Sequence, residues 1–156
     1  MALSVGQTAP DFTLVDNTLT PHTLSSYKGK SVVLAFFPAA FTGICEKEMC
    51  TFRDNLGTLS SANATIFGIS VDLPFSADAF SKKNELNFPI LSDMNREVTK
   101  AYDVLFPNLA NVTGLDVSAR AVFLIDGEGI IRYAEVTEHP GIEPNYEAVM
   151  AAAATL

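Results

Sequence analysis

The segment Ser31–Phe37 is apolar at every position after the first, without the polar alternation of a half-exposed strand. Such a run is typical of a strand covered on both faces, and Ala64–Val71 repeats the pattern. Shorter segments rich in β-branched and aromatic residues predict three further strands: Phe88–Leu91, Arg120–Asp126 and Ile130–Val136. The chain is therefore expected to fold around a sheet that lies inside the protein.

Helical patterns lie between most of these strands. After the first strand, apolar residues recur at spacings of three and four from Met49 onward, which predicts an amphipathic helix ending near Ser60. Two further helices are predicted over Ser76–Leu86 and Asp93–Tyr102, the second with Asp93 as its N-cap. The alanine-rich segment Glu143–Thr155 predicts a closing helix.

The order of these elements predicts a mixed central β-sheet flanked by helices. The turn Asp126–Gly129 joins the last two strands as an antiparallel hairpin. Upstream, Asp11–Val15 and His22–Leu24 flank a polar turn and predict a small N-terminal β-hairpin. A thioredoxin-like α/β fold satisfies this order. Since no repeat, low-complexity tract or linker divides the 156 residues, we predict one domain over residues 1–156.

Composition excludes several kinds of partner. The net charge is −8 and the ten Lys and Arg residues are scattered, which argues against nucleic-acid binding. The longest nearly apolar run, Val32–Phe41, is about half the length that spans a bilayer and contains Pro38, so no membrane insertion is expected. The N-terminus lacks signal-peptide features and two cysteines are too few for a disulfide framework, which favours a cytoplasmic protein.

The segment from Pro38 to Cys50 carries the clearest chemical signal. It follows the first buried strand, and open α/β sheets bind ligands at the carboxyl ends of their strands. Thr42 is well placed to cap the next helix, which puts Cys45 in the first turn among unpaired backbone N–H groups. Those dipoles favour a thiolate, the nucleophilic form of cysteine. The alternative is a buried cysteine that only continues the apolar face.

The sequence Pro38-Ala-Ala-Phe-Thr42-Gly-Ile-Cys45 resembles the active-site motif of the peroxiredoxins, thiol peroxidases that reduce hydroperoxides without metal or haem. The resemblance covers essentially the whole chain, including Val5–Leu14, Phe88–Asp93 and Arg120–Asp126. The sequence Ala-Phe-Thr-Gly-Ile-Cys that ends at Cys45 is most similar to the alkyl hydroperoxide reductase E subgroup. A second cysteine five residues later is instead similar to the Q-type, or bacterioferritin-comigratory, subgroup.

The resemblance implies a role for each residue that matches the family pattern. Cys45 would be the peroxidatic thiolate, which attacks the terminal peroxide oxygen and becomes a sulfenic acid. Thr42 would hydrogen-bond both the thiolate and the peroxide, and Pro38 would cover the sulfur and exclude water. Arg120 would stabilise the thiolate and the developing charge, with Glu48 orienting it. Taken alone, Arg120 could equally be a surface residue paired with Asp116, and Glu48 could be a favourable acid at the start of a helix.

Cys50 is the candidate resolving cysteine. In an intact helix, a spacing of five residues separates Cα atoms by about 8.7 Å and turns the side chains about 140° apart. A disulfide tolerates at most about 7 Å. An internal Cys45–Cys50 disulfide therefore requires the first turns of the helix to unwind, and attack of an external thiol on the sulfenic acid is the alternative.

We therefore expect a thiol-dependent peroxidase that acts on hydrogen peroxide and small alkyl hydroperoxides. The resemblance implies a thioredoxin-like or glutaredoxin-like protein as reductant and no cofactor. A second hypothesis is a redox sensor or relay whose oxidised form docks on a partner protein, and a third is a silent thioredoxin-like interaction module. A homodimer is also expected from the resemblance. Phe41, Phe75 and Phe106 are expected in the core, although any left exposed could serve a dimer contact.

The two histidines give no sign of a metal site. Zinc sites use short paired spacings of Cys and His, and neither His22 nor His139 shows one. We expect both histidines to be exposed to solvent and predict no metal.

Overall fold

The structure is a computed structural model and describes residues 3–156. The strands are β1 Thr13–Val15, β2 Pro21–Thr23, β3 Ser31–Phe36, β4 Ala64–Ser70, β5 Ile90–Ser92, β6 Leu105–Phe106, β7 Val117–Ser118, β8 Ala121–Ile125 and β9 Ile131–Val136. The α-helices are α1 Gly43–Asp54, α2 Leu56–Ser61, α3 Pro74–Lys83, α4 Glu97–Ala101 and α5 Tyr146–Ala154.

A five-stranded mixed sheet forms the centre of the fold, in the order β5-β4-β3-β8-β9. β3, β4 and β5 are parallel, whereas β8 pairs antiparallel with both β3 and β9. All six residues of β3 are buried, as its apolar sequence predicts. β1 and β2 form a separate antiparallel hairpin. The predicted thioredoxin-like class and the N-terminal hairpin are therefore confirmed.

Two hydrophobic cores lie on opposite faces of this sheet. Val33 and Ala35 of β3 face the core that contains buried residues of α1, α2, α3 and α5. Val32 and Leu34 face the second core, which α4 and the N-terminal segment cover. This two-sided burial explains why the β3 sequence shows no polar alternation.

The single helix predicted to end near Ser60 is wrong, because the chain breaks at Asn55 into α1 and α2. The Asn55 side chain donates a 2.8 Å hydrogen bond to the carbonyl oxygen of Thr51. Its backbone N–H contacts the carbonyls of Thr51 and Phe52. Asparagine readily satisfies local backbone groups in this way, so it ends a helix that the apolar spacing alone would continue.

Two other helices begin later than predicted. α4 begins at Glu97, after Arg96 in the left-handed region with φ 61°. The buried Asp93 still caps α4, because its carboxylate accepts hydrogen bonds from the Val98 and Thr99 backbone N–H groups. α5 begins at Tyr146 rather than at Glu143, because the intervening proline disfavours helical geometry in the residue before it.

Among residues 3–156, the structure contains no helix of the length and apolarity that crossing a membrane requires.

Candidate active site

The sheet register brings the candidate cysteine and arginine together. Phe36, the last residue of β3, pairs with Ala121, the first residue of the antiparallel β8. Arg120 therefore lies at the carboxyl end of β3, where the chain leaves the sheet and enters α1 with Cys45 in its first turn. Residues 75 positions apart thus meet at one edge of the sheet.

The Arg120 guanidinium connects three groups. Its Nη2 donates to Cys45 Sγ at 3.2 Å, and its Nη1 donates to Glu48 Oε1 at 2.6 Å. Its Nε donates to the carbonyl oxygen of Pro140 at 2.9 Å. The side chain is 2% exposed, so the cation is held in one orientation without solvent. A fixed cation beside the sulfur stabilises a thiolate, and it also stabilises negative charge that moves from the sulfur to a neighbouring atom during a reaction.

Glu48 is an unusual neighbour for this pair because its side chain has no exposed surface. Burial raises the pKa of the Glu48 carboxyl from 4.5 to about 8, against the lowering effect of the Arg120 cation. The negative charges of Glu135 and Glu143 raise this pKa further. Oε2 has no hydrogen-bond partner among the described residues. The environment therefore favours a protonated carboxyl group.

Cys45 itself is fully buried and packs in the core on the α1 face of the sheet, together with Met49 and Phe37. Along the chain, its neighbours Ile44 and Glu46 are partly exposed, but the side chain of Cys45 points into the core. A peroxide can therefore reach the sulfur only when residues that cover it are displaced.

The loop that precedes α1 is held by contacts with the β4–α3 segment. The Ala40 N–H donates to Asp72 Oδ2 at 2.8 Å. Phe41 has φ 64°, a left-handed conformation that costs a side-chain residue roughly 1–2 kcal/mol. Its ring packs edge-on against Phe80 at 5.6 Å, and Lys83 Nζ lies 5.6 Å from the ring centroid. Packing at the tip of the loop therefore offsets the backbone strain.

Two of the three phenylalanines expected in the core are exposed. Phe41 is 49% exposed and Phe75 is 72% exposed, so these predictions are wrong, whereas Phe106 is half-buried. Phe75 lies in the first turn of α3 with its side chain exposed, whereas Phe80 of the same helix is buried in the core.

Thr42 occupies the N-cap position of α1 but makes no side-chain cap hydrogen bond. Its hydroxyl donates instead to the carbonyl oxygen of Ala39 at 2.8 Å, so the predicted side-chain cap is wrong. Within residues 3–156, no hydrogen bond joins Thr42 to Cys45. Pro38 is buried two residues beyond the end of β3.

Cys50 lies on the same uninterrupted helix as Cys45, and both thiols are free. Cys50 Sγ donates to Asn84 Oδ1 at 3.5 Å, just after the end of α3. Lys83 pairs with Glu46 at 2.9 Å on the same side of α1. This side of α1 is thus attached to the end of α3, and Cys50 is part of the attachment.

Sequence reasoning missed three groups around the site: the Pro140 carbonyl that fixes Arg120, and the two acids Glu135 and Glu143. A main-chain carbonyl carries no sequence signal, and an acid that acts through space carries no spacing pattern. The prediction that the histidines are exposed to solvent is confirmed for His139 and is wrong for His22.

His22 is only 15% exposed because it hydrogen-bonds Asp16 and Tyr27, each at 2.8 Å. Among residues 3–156, no group of three or more His, Cys, Asp or Glu side chains is placed to hold a metal ion.

A thioredoxin-like fold with an arginine-paired cysteine at the carboxyl end of a central strand is the arrangement of a thiol peroxidase. The chain belongs to the AhpC/TSA family, whose sequence profile matches residues 5–134. It is similar to alkyl hydroperoxide reductase E of Mycobacterium tuberculosis, with 40% identity over 142 residues that cover 89% of this chain and 88% of that protein. The chain is therefore a peroxiredoxin, a thiol-dependent peroxidase.

Solved structures lead to the same class. Peroxidoxin BcpB from Mycobacterium tuberculosis is 29% identical with a TM-score of 0.86, and the match covers 99% of this chain and 98% of that one. A cysteine-to-serine mutant of PrxQ from Xylella fastidiosa is 28% identical with a TM-score of 0.86, covering 97% of this chain and 95% of that one. Relatives of both subgroups that the motif resembles are thus similar to this protein.

Proposed function

We propose that this protein reduces hydrogen peroxide and small alkyl hydroperoxides at Cys45. The observation that supports the proposal is the 3.2 Å hydrogen bond from Arg120 to Cys45 Sγ in a site without solvent. The thiolate attacks the terminal peroxide oxygen, an S–O bond forms as the O–O bond breaks, and water or an alcohol leaves after protonation. Cys45 becomes a sulfenic acid. Arg120 stabilises negative charge first on sulfur and then on the departing oxygen.

Thr42 and Pro38 complete the proposed site. The Thr42 hydroxyl donates its hydrogen bond to the Ala39 carbonyl oxygen. The lone pairs of the hydroxyl oxygen therefore remain available to accept a hydrogen bond from the peroxide. This contact would orient the peroxide toward the sulfur. Pro38 has no N–H, so it can exclude water from the sulfur without offering a competing hydrogen bond.

The peroxidase reaction is tested by mixing the reduced protein with one equivalent of hydrogen peroxide in a stopped-flow instrument and following thiol loss. Cys45 should oxidise orders of magnitude faster than free cysteine, and Cys45→Ser should abolish the fast phase. Oxidation at the rate of free cysteine would overturn the proposal.

For the resolving step, we propose that Cys50 attacks the Cys45 sulfenic acid and releases water as the disulfide forms. Support comes from its place on the same helix, only five residues away. The attack requires α1 to unwind from its first turn, which also breaks the Cys50–Asn84 contact.

Mass spectrometry after stoichiometric oxidation should show a loss of two hydrogens that spans both cysteines. In Cys50→Ser, a gain of one oxygen at Cys45 should replace it. The same oxygen adduct in the unmodified protein would assign resolution to an external thiol.

We further propose a thioredoxin-like or glutaredoxin-like protein as the reductant and a cytoplasmic location, which the two free cysteines support. A homodimer is supported by the exposed ring of Phe41, in the loop before α1, and by the exposed ring of Phe75 in α3. Light scattering of the reduced protein tests the dimer, and Phe75→Ser should shift the mass toward the monomer.

A further inference from the structure

The buried site contains two acids and one cation. Cys45 and Glu48 are both completely buried, Arg120 is 2% exposed, and the guanidinium contacts both acids. If both acids were ionised, the site would hold one uncompensated negative charge away from water. Burial of an unpaired charge is strongly unfavourable, so one guanidinium supports one anion.

The carboxyl group shows where the remaining proton can reside. Glu48 Oε1 accepts the hydrogen bond from Arg120, whereas Oε2 is buried and has no partner among the described residues. A proton on Oε2 removes the uncompensated charge and leaves Oε1 free to accept from Arg120. The pKa of Glu48, raised by burial to about 8, agrees with this placement at neutral pH.

Glu48 is also within reach of the reaction. It follows Cys45 by three residues on α1, so the two side chains project from neighbouring positions on one side of the helix. Both contact the same guanidinium, at 3.2 Å for sulfur and 2.6 Å for the carboxyl oxygen. A peroxide oxygen that departs from sulfur along Arg120 therefore approaches the carboxyl group.

We propose that Glu48 is the catalytic acid of this peroxidase: it holds the proton that Cys45 has given up and donates it to the departing oxygen. The inference rests on the proposed reaction at Cys45. With hydrogen peroxide, the S–O bond forms, the O–O bond breaks, and the hydroxide takes the Glu48 proton to become water. Sulfur loses two electrons, which reduce the peroxide. Arg120 then pairs with the Glu48 carboxylate instead of the thiolate, so the site stays neutral throughout the reaction.

The other charged groups around Glu48 are the acids Glu135 and Glu143, and both favour a protonated Glu48. Glu135 on β9 accepts hydrogen bonds from Tyr133 and from the Asn145 N–H. Glu143 pairs with Lys47 at 3.0 Å and accepts from the Tyr146 hydroxyl at 2.8 Å.

The partners of Glu143 favour its ionised form. Burial acts to raise the pKa of Glu143, but Tyr146 and Lys47 together hold it below its ordinary value. Two negative charges outside the site therefore oppose a third on Glu48. Arg120 is the one cation that touches it among the described residues.

Proton uptake during a single oxidation tests the proposal. Reduced Cys50→Ser protein, which stops at the sulfenic acid, is mixed with one equivalent of hydrogen peroxide at pH 7 in weak buffer with a pH indicator. Thiolate absorbance is recorded before mixing. A Cys45 thiolate with nearly no proton uptake is expected, because Glu48 supplies the proton. With Glu48→Gln added, about one proton per sulfur should be taken from solvent.

Equal proton uptake in the two proteins overturns the proposal, as does the absence of a Cys45 thiolate at pH 7. Infrared difference spectroscopy gives a second measurement that does not depend on the variant. The C=O band of a protonated carboxyl group should disappear when the protein without the glutamine substitution is oxidised. A spectrum without this loss, together with fast thiol oxidation, refutes the role of Glu48 and leaves the peroxidase function in place.

The rate should also depend on pH through Glu48. The acid form is present below about pH 8 and is lost above it, so the oxidation rate should fall as pH rises through that value. Glu48→Gln should lack this fall and be slower at pH 7 by roughly 10²-fold or more. A residue that only positions Arg120 would leave the falling limb in place, because glutamine keeps the acceptor oxygen.

Discussion

Replacing Glu48 with glutamine should remove a loss of folding stability that the unmodified protein shows as pH rises from 5 to 7. The carboxyl group is fully buried, and its pKa is raised from 4.5 to about 8. Between these values the folded state keeps a proton that the unfolded state has released. Each unit of rising pH in this interval therefore favours the unfolded chain by up to about 1.4 kcal/mol.

The expected size follows from this linkage. From pH 5 to pH 7, the stability of the unmodified protein should fall by between about 2 and 3 kcal/mol relative to Glu48→Gln. The comparison uses a change with pH because any constant difference between a buried amide and a buried acid cancels. The acid contributes most to stability below pH 4.5, and this contribution is lost as pH rises toward 8.

Urea unfolding of the fully reduced proteins at pH 5, 6 and 7, followed by far-UV circular dichroism, measures the difference. Glu46→Gln is the matched control on the same helix. The pKa of Glu46 is lowered, mainly by its hydrogen bond from Lys83, so the folded state does not hold a proton on Glu46 that the unfolded state releases. Its substitution should leave the pH dependence unchanged. If the Glu48→Gln and unmodified curves run parallel, Glu48 is ionised in the folded protein and the charge argument fails.

Three further substitutions test other parts of the structure. Arg120→Lys should slow peroxide oxidation roughly 10²-fold in stopped-flow assays, because a single ammonium group cannot keep the paired geometry that includes Cys45. Asp93→Ala should lower the free energy of unfolding by about 3 kcal/mol in urea titrations, since it leaves the buried start of α4 uncapped. Gly68→Ala should cost about 1–3 kcal/mol in the same assay, because the added Cβ would lie 2.7 Å from Ile90 Cδ1; unchanged values would contradict the packing described.

Much of the fold could be predicted because hydrophobic patterning specifies buried strands directly. The apolar run at Ser31–Phe37 predicted a central strand, and the structure covers it on both faces. The same logic failed where one side chain decides the outcome locally. Asn55 ends α1 through its own hydrogen bond, and Phe41 lies at a left-handed backbone position with its ring half exposed against Phe80.

The site was predictable in composition but not in electrostatics. The motif and the resemblance named Cys45, Glu48 and Arg120, and the antiparallel register of β8 brings them together. The complete burial of Cys45 and Glu48 depends on packing that no spacing pattern shows. The carbonyl of Pro140, which fixes the arginine, has no side-chain signature at all.

The location of both thiols on one continuous helix has a thermal consequence. Cys45 points into the core, whereas Cys50 contacts the end of α3, so an internal disulfide must wait for several turns of α1 to open. Opening packed structure has a large activation enthalpy, and its rate rises about 3–6-fold per 10 °C. Disulfide formation should therefore slow on cooling as steeply as a partial unfolding reaction. At low temperature the oxidised protein should accumulate the Cys45 sulfenic acid before Cys50 reacts with it.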